Sequence, residues 1–219
     1  MNERKIKTAV LISGGGTNLQ ALIDAQKSGI IKHAEICAVI SNRADAYGLE
    51  RAEKAGIPHY VVEKEKTVKD PSGKPDEKDS RIKQADFERK IVEILKSSGA
   101  ELIVLAGFLA ILSEDFTRLY PERIINIHPS LIPSFCGKGY YGLKVHEAAL
   151  SYGVKVTGAT VHFVNEIPDG GKIILQKAVY IKEGDTPEIL QKRVMEEAEW
   201  ELLPKALELV SEKMLKKSA

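Results

Sequence analysis

The sequence predicts an α/β fold: one domain with a mostly parallel, twisted sheet, helices on both faces and an antiparallel extension toward the C-terminus. Three observations predict it. Short continuous apolar runs, rich in β-branched residues, alternate with amphipathic helical stretches from residue 7 to residue 130. That alternation is the pattern of successive βαβ units. A glycine-rich turn joins the first strand to the first helix. Near the end, two strand-like runs follow one another with only a glycine-bearing turn between them, which reads as a hairpin-like pair.

The elements follow in order. KTAVLIS (7–13) is a buried strand, and SGGGTN breaks it. NLQALIDAQKSG then places Leu19, Leu22 and Ile23 on one helical stripe and stops at Gly29. HAEICAVISN is the second strand, DAYGLERAEKAG a helix ending at Gly56, and HYVVE the third strand. Residues 64–80 are charged and carry proline and glycine, so a surface loop is expected there. ADFERKIVEILKSSG is an amphipathic helix, AELIVLAGF a continuous apolar strand, LSEDFTRLYP a short helix and RIINIHPS the next strand. VKVTGATVHFVNE and IILQKAVYI form the late strand pair around IPDGGK, and residues 186–217 close the chain with long helices. The whole is a single-domain, Rossmann-like arrangement with no repeat and no internal linker.

Composition narrows the function classes. The chain has 219 residues, 43% hydrophobic and 29% charged, with a net charge of +1. That balance fits a globular protein and gives no support to a nucleic-acid or membrane surface. Cys37 sits in the apolar run ICAVI and Cys136 in a loop, so neither a disulfide framework nor a cysteine metal site is expected. Arg4, Lys5 and Lys7 precede an apolar run too short for a signal peptide, and no stretch approaches the roughly 20 apolar residues of a membrane helix. A cytoplasmic location is the default expectation.

ISGGGTNLQALID lies between a strand and a helix. Glycines allow close backbone approach, and the helix start offers unpaired N–H groups at its positive dipole end. Gly15, Gly16, Thr17 and Asn18 are therefore candidate anion ligands, with a tight turn and N-cap as the plainer alternative. Leu19 stands where a dinucleotide fingerprint has its third glycine, and no Lys-Ser or Lys-Thr pair follows as in a Walker loop. A monophosphate on a small substrate is favoured.

IINIHPSLIPSF (124–135) ends a strand with Asn126 and His128 two residues apart, hence on one face. Asn126 alone suits a turn cap, and His128 a core position. Three features favour a site. The pair ends a strand on the side of the sheet where open α/β folds bind ligands. The glycine loop also follows a strand, on the same edge. A later loop, IPDGGK, brings one carboxylate, Asp169. Amide and imidazolium both donate to a developing oxyanion, and a carboxylate accepts a proton or keeps the imidazole charged. Ser130, between two prolines, has no evident base, so direct attack by the substrate's own nucleophile is expected.

Taken together, ISGGGTNLQALID, AGFLAILS, INIHPSLIPSF and VHFVNEIPDGGKIILQ resemble the phosphoribosylglycinamide formyltransferase family, over roughly residues 7–204. The resemblance implies transfer of a formyl group from 10-formyltetrahydrofolate, a co-substrate, to the amine of glycinamide ribonucleotide, without a metal. It implies that Asn126 and His128 stabilise the oxyanion and that Asp169 keeps His128 protonated. It places the substrate phosphate at Gly15, Gly16, Thr17 and Asn18, and the folate across Phe108, Leu109, Ala110, Ile111 and Leu112. It adds Arg81 near the ligands and Glu199 at the ribose or amine. It divides residues 1–219 into a phosphate-binding half (1–100) and a folate-binding, catalytic half (101–219), as a monomer or homodimer. After HPSLIPSF the segment 136–146 is longer than in many members, and His146 within it is expected on a helix surface. His162 suits either second-line support or core packing, while His33 and His59 flank strands.

Other readings remain. A formyl-folate hydrolase shares this core but has a second histidine where Pro129 stands and an N-terminal regulatory domain, for which the sequence leaves no room before the first strand. Methionyl-tRNA formyltransferase carries an extra C-terminal barrel and a basic surface. A nucleotide-cofactor oxidoreductase needs the glycine that Leu19 replaces. A phosphate-ligand binding protein leaves Asn126, His128 and Asp169 unexplained.

Overall fold

A computed structural model of the chain describes residues 4–69 and 73–218. The first half runs β1 (Ile6–Ile12), α1 (Thr17–Lys27), β2 (Ala34–Ser41), α2 (Gly48–Lys54), β3 (His59–Val61), α3 (Glu77–Ser98) and β4 (Leu102–Leu105). The second half runs α4 (Glu114–Leu119), β5 (Ile124–His128), α5 (Leu143–Tyr152), β6 (Val156–Phe163), β7 (Ile173–Tyr180) and α6 (Pro187–Val194). A π-helical turn (Met195–Glu199) and α7 (Trp200–Ser218) complete it. One seven-stranded sheet has the order β3-β2-β1-β4-β5-β6-β7. The strands from β3 to β5 pair in parallel, while β5–β6 and β6–β7 are antiparallel, as expected.

Strands buried on both faces read as continuous apolar runs. In β1, Ile6, Val10 and Ile12 face one core with Leu22 of α1 and Leu203 of α7, while Ala9 and Leu11 face another with Phe87 and Ile91 of α3. In β2, Thr8 pairs with Ile36 but Ala9 with Ala38, so Cys37 is an extra, bulged residue. The bulge resets the period of two and puts Ile36 and Val39 on the same core face. In β5, Ile125 and Ile127 anchor the strand in the first core, which leaves Asn126 and His128 on the opposite face.

Three local expectations change. The charged segment 64–80 is not all loop, because α3 begins at Glu77 under an N-cap, Asp76, whose carboxylate accepts from the Asp79 N–H at 2.8 Å. Residues 70–72 of that segment lie outside the described residues. Arg81 is therefore an exposed residue on α3. The lengthened segment runs into α5, and His146 on it is 1% exposed rather than on the surface. The closing helices are interrupted by the π-helical turn, a feature common at functional sites, and Pro204 sits inside α7. Among the described residues no helix is long and apolar enough to cross a membrane.

Candidate active site

The C-terminal ends of β1, β4 and β5 open onto one cavity of about 770 Å³, lined by residues 14–18, 106–111 and 126–129 with His146, Asp169 and Glu199. A more apolar groove of about 520 Å³ lies between α1 and α7 around Trp200 and Pro204, and Asn126, His128 and Asp169 do not reach it.

The glycine loop is held from outside. The Gly14 carbonyl accepts from the Gly48 N–H at 3.0 Å, and the Gly15 carbonyl from Arg51 Nε at 2.8 Å. Gly16 has φ 68, and a Cβ there would stand 2.6 Å from Gly48 Cα, so only glycine fits. Among the described residues no side chain caps α1, so its first N–H groups are open, as an anion would need. Asn18 is buried, and its Nδ2 donates to Glu199 Oε2 at 2.6 Å while its Oδ1 has no partner among the described residues. Burial pushes the Glu199 carboxyl up to about 7, against the Asn18 hydrogen bond that lowers it.

Sheet register assembles the polar cluster. Asn126 lies directly opposite His162 across β5–β6. His162 Nδ1 donates to the Phe163 carbonyl at 2.8 Å, so in the neutral ring Nε2 accepts, and Asn126 Nδ2 donates to it at 3.1 Å. This orients the Asn126 amide and leaves its second N–H for the cavity. Asp169 reaches between the two rings: Oδ2 lies 3.5 Å from His128 Nδ1 and Oδ1 lies 3.6 Å from His162 Nε2. At these lengths the contacts are electrostatic rather than hydrogen bonds. The Asp169 carboxylate accepts a true hydrogen bond from the Gly137 N–H at 2.7 Å. His128 Nε2 donates to the Phe135 carbonyl at 2.9 Å.

Burial raises the Asp169 pKa, but His162, His128 and the Gly137 N–H outweigh it and hold the carboxyl below its ordinary value. For His128 burial dominates and lowers the pKa, although Asp169 and the Phe135 carbonyl oppose it. The resting imidazole is thus pushed toward neutral, whereas the sequence led to an imidazolium held by Asp169. The cause is the depth of the ring, which one carboxylate at 3.5 Å does not offset.

Most expected site residues meet here. Gly15, Gly16, Thr17, Asn18, Phe108, Leu109, Ala110, Ile111, Asn126, His128, Asp169 and Glu199 all line the cavity. Leu112 packs instead against the α3-side core. Arg81 lines a separate groove with Lys64, Gln84 and Ser113. Ser130 is fully buried and donates to the Ser134 carbonyl, which leaves it no nucleophilic part. His33 pairs with Glu208 at 2.6 Å, and His59 lies on exposed β3. His146 was missed: it lines the cavity, yet neither ring nitrogen has a partner among the described residues. Burial and the nearby His128 lower its pKa to about 4. Among the described residues no group of three or more His, Cys, Asp or Glu is placed to hold a metal ion.

An anion-ready loop facing an amide, an imidazole and a carboxylate across one sheet edge holds the group types that acyl transfer needs: donors for an oxyanion and an acceptor for a proton. Residues 6–207 match the formyl transferase family, and the chain belongs to it. It is 42% identical over 210 residues to the phosphoribosylglycinamide formyltransferase of Haemophilus influenzae, covering 96% of this chain and 89% of that one. It is 46% identical over 207 residues to the trifunctional purine biosynthetic protein adenosine-3 of Gallus gallus, covering 94% of this chain but only 18% of that protein's length. Its fold matches the crystal structure of glycinamide ribonucleotide transformylase 1 from Symbiobacterium toebii with a TM-score of 0.80 at 41% identity, covering 95% of this chain and 89% of that one.

Proposed function

We propose that the chain transfers the formyl group of 10-formyltetrahydrofolate to the amine of glycinamide ribonucleotide, a step of purine biosynthesis. The observation that carries this reading is the convergence of Asn126, His128 and Asp169 at the mouth of the glycine loop. The phosphate takes the unpaired N–H groups of Gly15 to Asn18, and the Glu199 carboxyl, pushed up to about 7, meets the ribose or amine. The folate lies along Phe108 to Ile111. The amine lone pair attacks the formyl carbon, and the carbonyl π pair moves onto oxygen. The free Asn126 N–H and the His128 ring stabilise that oxyanion, whose developing charge favours proton uptake by the buried imidazole. Asp169, held ionised, accepts the proton the amine must lose. The tetrahedral species then collapses, the carbon–N10 bond breaks, and N10 takes the proton that Asp169 received from the amine.

The halves 1–100 and 101–219 divide the work between phosphate and folate, although Glu199 crosses that division through Asn18. The reading extends to a cytoplasmic protein, monomeric or homodimeric, acting on small molecules. The assay mixes protein, 10-formyltetrahydrofolate and glycinamide ribonucleotide and follows deformylated folate. Asn126→Ala and His128→Ala are each expected to lower kcat by about 100- to 1000-fold. Folate turnover that ignores the ribonucleotide would assign a hydrolase instead.

A further inference from the structure

The loop after β4 holds two large apolar side chains out of the core: Leu109 is 57% exposed and Ile111 is 69% exposed. Burial of such groups is favourable, so a free loop would turn them inward. Hydrogen bonds from behind prevent this at alternate residues. The Leu109 N–H donates to Ser13 Oγ at 2.8 Å. The Ile111 carbonyl accepts from Gln84 Nε2 at 3.1 Å. The Ser113 N–H and hydroxyl donate to the two oxygens of Glu88 at 2.6 and 2.5 Å, and Gln84 Nε2 also donates to Glu88 at 2.5 Å. Ser13 is 3% exposed and Glu88 7% exposed, so the bonds these two make are shielded from competing water. None of the three side chains lines the cavity of His128.

We propose that Ser13, Gln84 and Glu88 are positioning residues that fix the 109–113 backbone as a preformed apolar ledge for the flat heterocyclic end of the formyl donor. The proposal rests on the reaction assigned above. A ledge ordered before binding spares the ligand the entropy of ordering it.

The test uses the full chain with Ser13→Ala, Gln84→Ala and Glu88→Gln. KM for each substrate, kcat, and the Kd of tetrahydrofolate by titration calorimetry are measured, with hydrogen exchange of residues 107–113 in the unliganded protein. Loss of one hydrogen bond corresponds to about a three- to tenfold weakening. Ser13→Ala and Gln84→Ala are expected to raise KM for the formyl donor and Kd for tetrahydrofolate by about that factor. KM for the ribonucleotide and kcat stay within about twofold, and exchange at 107–113 accelerates. Gln84 is only half-buried, so its variant is expected to fold even where a change at the buried Ser13 or Glu88 does not. Equal weakening of both substrates, or unchanged folate affinity with unchanged exchange, overturns the proposal. Wild-type protein that neither turns over nor binds tetrahydrofolate overturns the assigned reaction and the ledge's ligand together. Normal wild-type turnover with unaltered variants overturns the positioning role alone.

Discussion

Asp169 shows how much one residue carries. Its backbone sits at φ 56, a region a non-glycine residue rarely adopts. That turn points the carboxylate back between His128 and His162 while Gly137 holds it. Asp169→Asn keeps the shape and removes the charge. Loss of the proton acceptor is expected to lower kcat by about 100-fold or more. The pH profile carries a second, independent signature. The His128 pKa already lies below its ordinary value because burial outweighs the pull of Asp169. Without the negative charge, the protonated ring keeps the Phe135 carbonyl but loses the larger of its two opposing supports. The base-side limb of kcat/KM, where a protonated His128 is lost, therefore moves to lower pH in the variant. A limb that stays in place or moves upward would show that Asp169 does not act on the ring electrostatically.

Elements place these residues, and here the sequence was informative to different depths. The apolar runs of β1, β4 and β5 were legible because both faces of those strands are buried. The Asn126–His128 pairing on one face was legible from the period of two alone. The partner of Asn126 was not, because His162 becomes its neighbour only through the β5–β6 register, which local pattern does not encode. The start of α3 was hidden by its charges: its first turns bury little, and buried residues begin at Phe87. His146 misled because a polar residue on a short helix reads as surface, whereas α5 turns it into the cavity. The β6–β7 hairpin also contains a test. A Cβ at Gly171 would stand 1.7 Å from the Phe163 carbonyl oxygen, a backbone atom that cannot move aside without opening the hairpin. Gly171→Ala is expected to destabilise the fold by about 1–3 kcal/mol and to shift Asp169, two residues earlier. Thermal melting and kcat should fall together. Unchanged melting would show that the hairpin gives way freely.

At the scale of the whole molecule, two buried ionisable groups from distant segments pull stability in opposite directions with pH. Glu199 ties the π-helical turn before α7 to Asn18 at the start of α1, and its carboxyl is raised from 4.5 to about 7. The folded state therefore holds a proton that the unfolded chain has released, and Glu199 makes stability fall as pH rises from 4.5 through about 7. His146 is lowered from 6.5 to about 4. Here the unfolded chain binds the proton first, so His146 makes stability rise with pH between about 4 and 6.5. Each effect spans about 2.5 pH units at about 1.4 kcal/mol per unit, or about 3 kcal/mol. In the native protein the two slopes nearly cancel between pH 4.5 and 6.5, and either one alone is unmasked by neutralising the other. Relative to wild type, Glu199→Gln is expected to gain about 3 kcal/mol as pH goes from 4.5 to 7. His146→Leu is expected to lose about 3 kcal/mol of relative stability as pH goes from 4 to 6.5, because the wild type recovers what the histidine withheld in acid. Any packing change adds a constant offset and leaves these slopes intact. Urea denaturation at half-unit steps from pH 4 to pH 7.5 measures both. Parallel pH curves for wild type and either variant would mean that the corresponding group titrates as it does in the unfolded chain.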